Sequence, residues 1–225
     1  MRGLISYSLY GDDPRYIGNA VQNKDLADKF YPGWDLVCYV DDSVPMDVIE
    51  TLRSQGFDII DMTSSPICGV VWRCLAVDDT SYDAVIVRDI DSRLSKRESE
   101  AVHDWLDSDK TLHSMRDAKE HNMKFQTGMW GCKPKQKLFD MTKLLSDSTG
   151  LHKDNYQHMS GYVWRDQTFL ELVFDNYHAN DIIAHDDWLR HSETQEVKPF
   201  PTQPRPRQHV GYAFIDCNEE NEDIE

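Results

Sequence analysis

The sequence predicts an α/β fold in one domain, with a mostly parallel central sheet flanked by helices. Strand-like and helix-like patterns alternate through the first 95 residues, an order typical of parallel strands joined by helical crossovers. The run Ala84–Val87 is continuously apolar, which indicates a central strand buried on both faces. A chain of 225 residues is also long enough to bury one substantial core.

The first part of the chain contains four predicted strands and three predicted helices. The strands are expected over residues 2–10, 35–40, 57–62 and 83–89. Apolar side chains at helical spacing predict helices over residues 14–31, 45–56 and 69–77. Pro14 lies in the first turn of the first helix and Gly56 ends the second, positions that suit these two residues.

The second part of the chain is less regular. Ser95 and Glu98 form a capping-box pattern that predicts a helix over 95–108. Further strands are expected over 111–117, 127–133 and 181–187, and further helices over 134–147 and 166–178. A Pro-rich extended segment over 198–214 completes a domain of residues 1–215. The acidic residues 216–225 are expected to form a solvated tail, disordered or the start of a linker.

The composition excludes several classes of function. The chain has 24 basic and 40 acidic residues, a net charge of -16, which disfavours binding to nucleic acid or to anionic membrane. Its five cysteines are scattered and form no C-x-x-C pair, as expected of small core residues in a reducing compartment. No apolar run reaches the roughly 18 residues that span a bilayer. We therefore expect a cytoplasmic protein, or a domain of a longer multidomain chain.

Asp89 and Asp91 stand two residues apart at the end of the fourth predicted strand. The carboxyl ends of parallel strands meet at the ligand-binding edge of a sheet, and carboxylate oxygens suit a divalent cation. A calcium loop is disfavoured because Leu94 stands where that loop needs Gly. An aspartyl-phosphate phosphatase is disfavoured because Arg93 stands where that class has Thr or Val. An acidic loop before the next helix stays open as an alternative, although Ser95 already supplies the cap.

A series of motifs around this pair resembles nucleotide-sugar glycosyltransferases of the GT-A fold, which carry an Asp-x-Asp motif, in small domains of viral or bacterial type. The resemblance covers roughly residues 4 to 212. Its motifs are Trp72-Arg73, Arg88 to Arg93, Arg97-Glu98, Trp105-Leu106, His113 to Asp117 and Gly128 to Gly131. It implies a Rossmann-like, mostly parallel sheet, a nucleotide-sugar donor, a glycan-type acceptor and Mn²⁺ or Mg²⁺ as the metal.

The resemblance also implies roles for individual residues. The metal ligands are expected to be Asp89, Asp91 and His185, with Asp186 or Asp187 as substitutes for the histidine. Asp166 and Asp117 are the expected catalytic carboxylates. The residues expected to bind the nucleotide or the sugar are Ser8, Leu9, Tyr10, Gly11, Arg73, Arg88, Asp89, Arg93, Arg116 and Gln167, with Arg15 a weaker candidate.

Each of these roles has a structural alternative. Residues 8–11 can form a plain strand-to-helix turn, Asp166 can cap a helix, and Arg73, Arg93 and Arg116 can form ordinary ion pairs. His121 and Trp130 are expected beside the same cleft, or in the case of Trp130 in the core.

The expected function is metal-dependent transfer of a hexose-type sugar from a UDP- or GDP-sugar to a hydroxyl group. Two alternatives stay open. A nucleotidyltransferase would need a Gly-rich basic loop after the first strand, which SLYGDDPR lacks. A catalytically inactive nucleotide-sugar-binding module would keep the same binding residues without turnover.

Overall fold

The computed structural model describes residues 1–136, 139–156, 165–177, 181–205 and 207–221. The strands are β1 (Gly3–Leu9), β2 (Asp35–Val40), β3 (Phe57–Asp61), β4 (Ala84–Arg88), β5 (Leu112–Arg116), β6 (Met129–Cys132), β7 (Ile182–Asp186) and β8 (Glu196–Lys198). The α-helices are α1 (Pro14–Phe30), α2 (Met46–Ser54), α3 (Lys96–Leu106), α4 (Met141–Asp147), α5 (Lys153–Tyr156) and α6 (Arg165–Tyr177). Within these residues, no helix is both long and apolar enough to cross a membrane.

The eight strands form one sheet in the order β3-β2-β1-β4-β6-β5-β7-β8. All neighbouring pairs are parallel except those of β6, which runs antiparallel to both β4 and β5. The chain passes from β1 to β2 on one side and later to β4 on the other, so the strand order reverses at β1. Clefts for ligands form at such a point, outside the carboxyl ends of the strands.

Strand β4 has the buried character that its sequence predicts. Val85 and Val87 pack with Trp72 and Trp130 on one face of the sheet. Ala84 and Ile86 pack on the other face, in the cluster that contains Trp105. Because successive side chains of a strand point to opposite faces, this alternation shows that both faces of β4 are covered. The predicted single-domain α/β fold with a mostly parallel sheet is confirmed.

Several elements differ from the sequence-based prediction. Residues Gly69–Asp78 form a 3-10 helix, where an α-helix was expected. The expected helix over 134–147 is a 3-10 turn, Pro134–Gln136, followed by α4, and residues 137 and 138 lie outside the described part of the chain. Strand β8 was not predicted, because its three residues become a strand only through their pairing with β7.

The expected acidic tail is packed against the domain over residues 216–221. The Cys217 carbonyl accepts hydrogen bonds from Arg93 Nη2 (2.6 Å) and from Gln22 Nε2 (2.5 Å). Upstream, Phe214 N donates to Asp91 O at 3.0 Å, and Ala213 forms a bridge with Ser92. Segment 207–221 therefore lies along α1 and the loop that follows β4. Residues 222–225 lie outside the described part of the chain.

A buried ion-pair network holds the beginning of segment 207–221 in place. Arg97 on α3 donates from Nε and Nη2 to the two oxygens of Asp117, at 2.9 and 2.7 Å, and from Nη2 to Asp187 at 2.7 Å. Asp117 Oδ2 also accepts from Val210 N at 2.8 Å. The arginine side chain and Asp117 are each 2% exposed, so both charges depend on this pairing.

Two histidines and an aspartate connect β5, β7 and α3. His113 Nε2 lies 2.8 Å from His185 Nδ1, and His185 Nε2 lies 3.0 Å from Asp104 Oδ2. Both histidine side chains are buried, and Trp105 stacks on His113 with ring centroids 5.2 Å apart. Burial lowers the pKa of His185 to about 4; the Asp104 carboxylate opposes this shift and Lys198 adds to it.

Replacing Arg97 by Met should lower the free energy of unfolding by about 3–5 kcal/mol, because it leaves buried Asp117 without its cation. Urea unfolding measures the loss. The matched control is Arg2→Met at the exposed Arg2–Asp35 pair, where we expect a much smaller loss because solvent screens the pair. Losses of equal size in the two variants would contradict the structural role of Arg97.

Stability should fall as the pH is lowered from 6.5 towards 4. In that interval His185 is protonated in the unfolded chain but neutral in the folded protein, whose His185 pKa is about 4, so acid favours unfolding. The melting temperature of His185→Asn should therefore depend less steeply on pH than that of the wild type.

Part of the pH dependence of the melting temperature remains in His185→Asn, because burial also lowers the pKa of His113 and His121. His152→Asn, at a partly exposed ring, is the control for the replacement of a histidine by asparagine. If the melting temperature of His185→Asn depended on pH as steeply as that of the wild type, the buried His185 ring would not contribute to the pH dependence of stability.

Candidate active site

A cavity of about 330 Å³ lies at the carboxyl ends of β1 and β4. Six of the residues that sequence analysis selected line it: Ser8, Leu9, Tyr10, Arg73, Asp89 and Asp91. The remaining lining residues are Tyr16, Val70, Ile90, Ser92, Gly211 and Ala213. We call this cavity the first pocket. It occupies the point where the strand order reverses, as the sheet topology predicts.

The first strand and the 3-10 helix are joined directly beneath this pocket. Ser8 Oγ accepts a hydrogen bond from Arg73 N at 2.9 Å, and Ser6 Oγ donates to Arg73 O at 2.8 Å. These bonds hold the Arg73 backbone on β1, so that its side chain is presented at the strand ends. Gly11 does not line the pocket; it has a φ of 77° and donates from its N–H to Ser43 Oγ at 2.7 Å.

The two aspartates are presented by the turn that ends β4. Ser92 N donates to Asp89 O at 3.2 Å, which turns the chain out of the sheet. Gly128, directly before β6, leaves room for the first carboxylate, because a Cβ at that position would overlap Asp89 Oδ2. Asp89 is about one-third exposed, with 38% of its side chain accessible, whereas Asp91 is nearly buried at 9%.

Each aspartate is paired with an arginine from a different element. Arg73 Nη1 lies 2.5 Å from Asp89 Oδ1, and Arg15 Nη2, from the first turn of α1, pairs with Asp91 Oδ2. Burial raises the pKa of Asp91, as does the Asp89 charge, while Arg15 opposes the rise. The Nε atoms of Arg15 and Arg73 are both buried and have no hydrogen-bond partner. Both guanidinium groups thus keep a donor for an oxyanion.

A larger cavity of about 820 Å³ adjoins the first pocket. The two share Asp89, Gly211 and Ala213. The other described residues that line this second pocket are Glu120, His121, Asn122, Met123, Gln126, Thr127, Gly128, Met129, Gln167 and Thr168. Asp89 and Gln167 are 78 residues apart in the chain, and the fold brings both to one connected space.

Asp166 lies in the first turn of α6 and is partly buried. Burial by itself lowers the pKa of the Arg73 guanidinium. Asp89, Cys74 and Asp166, in decreasing order of effect, raise this pKa, and the result lies above the ordinary value for arginine. The carboxylate of Asp166 thus acts on the guanidinium that faces the first pocket. The adjacent Gln167 donates from Nε2 to Gln126 Oε1 at 2.7 Å.

Three arginines expected at the site are structural instead. Arg88 points into the core, where it donates to Glu98 at 2.7 Å and to Trp130 O at 2.9 Å. Arg93 donates from Nε to Asn19 Oδ1 at 2.9 Å and lies 3.9 Å from the Phe214 ring centroid.

Arg116 pairs with Asp186 at 2.7 Å, both side chains being fully buried. None of Arg88, Arg93 and Arg116 lines either pocket. We therefore correct the expectation that these three guanidinium groups contact the nucleotide or the sugar.

Two further expectations are corrected on the same grounds. Asp117 is held by Arg97 and Val210, as described above, so it has no free oxygen directed to a pocket.

His185 lies on β7, three strands from β4, and contacts of about 3 Å engage both ring nitrogens. It cannot share a metal ion with Asp91 in this arrangement. Its suggested substitutes Asp186 and Asp187 are bound to Arg116 and Arg97, and Trp130 is a core residue.

The pocket walls contain residues that sequence analysis missed. Gly211 and Ala213 border both pockets, and Tyr16 borders the first. Gly211 has a φ of 77° and packs against Met129, where a Cβ would meet the sulfur. The Gly-Tyr-Ala sequence at 211–213 offered a weak signal, a glycine inside an extended segment, but its contact partners are far away in the chain.

The metal ligands available in the first pocket are the carboxylates of Asp89 and Asp91. Within the described part of the chain, no group of three or more His, Cys, Asp or Glu side chains is arranged to hold a metal ion. Two carboxylates form a hard, oxygen-only donor set, which fits Mg²⁺ or Mn²⁺ when a ligand and water complete the coordination.

No protein-family model matches the chain, and no curated protein sequence matches it. Solved structures do match its fold. A mannosyltransferase from Pyrobaculum calidifontis, in complex with GDP-Man and Mn²⁺, has a TM-score of 0.51 at 12% identity, over 90% of this chain and 57% of that one. The glycosyltransferase GlyE of Streptococcus pneumoniae has a TM-score of 0.50 at 15% identity, over 83% of this chain and 46% of GlyE.

Glucosyl-3-phosphoglycerate synthase from Mycobacterium tuberculosis, in complex with phosphoglyceric acid, has a TM-score of 0.50 at 13% identity. That match covers 92% of this chain and 73% of the synthase. This chain thus spans 46% to 73% of the three matched structures. At such low identity the likeness establishes the fold. The chain has the α/β fold of GT-A glycosyltransferase structures.

Proposed function

We propose that this protein is a metal-dependent glycosyltransferase that moves a hexose-type sugar from a UDP- or GDP-sugar to a hydroxyl of a glycan or other acceptor. The observation that carries this proposal is the first pocket at the carboxyl ends of β1 and β4, which is lined by the carboxylates of Asp89 and Asp91 and by Arg73. A second guanidinium, that of Arg15, pairs with Asp91 from α1. A nucleoside diphosphate bound with a divalent cation requires both kinds of charge at one place.

Asp91 and Asp89 would hold the cation, Asp91 from its nearly buried position and Asp89 from the rim. The cation would stabilise the negative charge that develops on the diphosphate when the sugar leaves. A protein of charge -16 otherwise repels such a leaving group, so local positive charge is needed at this pocket. The mannosyltransferase with GDP-Man and Mn²⁺ bound is a precedent for this ligand pair in the fold.

Arg73 and Arg15 would bind the diphosphate oxygens. A guanidinium group fits two phosphate oxygens with two parallel N–H donors, and each of these arginines has an unpartnered Nε–H. Ser8, Leu9 and Tyr10 would face the base and the ribose. Tyr10 is 47% exposed and its ring lies over Gly69 and against Trp72, so it offers a supported aromatic face.

Asp166 is the carboxylate we propose for the reaction itself. Of the acidic candidates, Asp117 and Asp186 are neutralised by buried arginines, whereas Asp166 forms no ion pair with the side chains that the structure describes. It stands beside Gln167, which lines the second pocket. From there it would orient the donor sugar or accept the proton of the attacking hydroxyl.

Two other functions would use the same pocket. Nucleotidyl transfer is disfavoured because the β1 exit lacks a Gly-rich basic loop. An inactive binding module would bind nucleotide without turnover, and hydrolysis of the donor without an acceptor distinguishes it from an enzyme. Complete absence of turnover with every common nucleotide-sugar would favour the module.

UDP or GDP together with Mn²⁺ should raise the melting temperature, and Asp91→Asn should abolish this shift because the cation loses its most buried ligand. Differential scanning fluorimetry measures the shift. Asp58→Asn, at an exposed aspartate on β3, is the control and should behave as the wild type. A shift of the same size in the presence of EDTA would rule out the metal.

Arg73→Lys should lower kcat/KM for donor hydrolysis by roughly tenfold to a hundredfold, because lysine keeps the charge but loses the second N–H donor, and a hydrogen bond to a charged group contributes about 1.5–3 kcal/mol. Arg53→Lys, on the exposed side of α2, is the matched control. Equal activity of the two variants would place the diphosphate elsewhere.

A further inference from the structure

The second pocket carries no positive charge among the described residues that line it. Its two acidic side chains are Asp89 and Glu120, and its other polar side chains are amides, hydroxyls and one histidine. The cavity of about 820 Å³ has the size of a small-molecule site. Arg73 lies 2.5 Å from Asp89 and offsets its charge, whereas Glu120 has no cation beside it among the lining residues. The lining therefore offers no cation of its own to a phosphate or carboxylate on the ligand.

A buried amide oxygen in this pocket needs a hydrogen-bond donor. Gln167 is only 4% exposed, and its Oε1 has no hydrogen-bond partner, while its Nε2 is used by Gln126 at 2.7 Å. An unsatisfied buried acceptor costs about 1–3 kcal/mol. A hydroxyl can satisfy this oxygen, whereas an ionised phosphate or carboxylate has only acceptors to offer.

The histidine of the pocket is neutral and acts as a donor. His121 Nδ1 accepts from Asp117 N at 3.1 Å and from Ala118 N at 3.2 Å, which leaves the ring proton on Nε2. Burial lowers the pKa of His121 to about 4, and His209 adds to this effect. The ring can therefore donate to a hydroxyl oxygen at neutral pH without bringing a positive charge.

Nearby cations are directed elsewhere. Lys124 Nζ pairs with Asp175 on α6 at 2.8 Å, and Arg190 donates to the Ala118 and His121 carbonyls. Neither Lys124 nor Arg190 lines the second pocket.

We infer that the second pocket binds the acceptor and that this acceptor is an uncharged polyhydroxyl compound, such as a neutral sugar residue of a glycan, to the exclusion of phosphorylated or carboxylated acceptors. This inference rests on the proposed function. Gln167 Oε1 receives a hydroxyl hydrogen, His121 Nε2 donates to a hydroxyl oxygen, and Met123 and Met129 offer apolar contact to the ring carbons.

Matched pairs of acceptors test the inference. Donor hydrolysis without acceptor is measured first, so that failure of the proposed function is seen separately. Transfer is then compared between glucose and glucose 6-phosphate, and between galactose and galacturonic acid, by mass spectrometry of the products. We expect kcat/KM for the neutral member to exceed that of its charged counterpart at least tenfold. Equal transfer, or preference for the charged member, overturns the inference.

Binding without turnover is tested by saturation-transfer NMR with lactose and with glucose 6-phosphate. Signals from lactose alone support the inference, even for a protein without transferase activity. Preference for glucose 6-phosphate, or binding of neither compound, overturns it.

Two variants connect the preference to this pocket. Asn122→Lys adds a cation at its exposed rim and should reduce the neutral-to-charged ratio severalfold, whereas Asn218→Lys adds the same charge outside both pockets and should leave the ratio unchanged. Gln167→Leu should raise KM for the neutral acceptor more than KM for the donor. The same ratio in both lysine variants would place the acceptor elsewhere.

Discussion

Two carboxylates at the end of a buried strand require positive partners, and the rest of the site depends on that requirement. Asp91 lies nearly buried and Asp89 stands two residues away. A charge removed from water costs several kcal/mol unless it is paired. The partners come from either side of β1: Arg15 from α1 and Arg73 from the 3-10 helix. The elements that carry these arginines are also the walls of the first pocket, so charge pairing shapes the cavity.

The sequence motif Arg88 to Arg93 contains residues of two kinds, those that face the pocket and those that connect elements of the fold. Asp89 and Asp91 face the pocket, whereas the flanking Arg88 and Arg93 stabilise the framework. Arg88 joins β4 to α3 through Glu98, and Arg93 joins the loop after β4 to the C-terminal segment. An acidic protein thus uses its buried arginines as connections between elements, and leaves a few guanidinium donors unpaired where a ligand is expected.

The sequence predicts the sheet well because strand patterns and crossover helices are local signals. It also places the ends of β1 and β4 at one edge, which is why Ser8, Arg73 and Asp89 meet in one cavity. What those residues bind stays a prediction.

The sequence could not show the partners of the charged residues. His185, Asp117 and Arg116 have suitable chemistry, but each is engaged by a side chain remote in sequence. The antiparallel position of β6 and the wall formed by Gly211 and Ala213 likewise follow from long-range contacts, for which a single sequence carries no local signal.

The position of segment 207–221 has a consequence for how the protein is made. Asn19 on α1 donates to the Phe214 carbonyl, 195 residues further along the chain, and Arg93 donates to the Cys217 carbonyl, 124 residues further. During synthesis the strands of the sheet emerge first, and Gly211 and Ala213, which border both pockets, follow only after β8. Contacts between residues so far apart form late and slowly. Both aspartates, which directly follow β4, are therefore made long before the residues that complete the pocket around them.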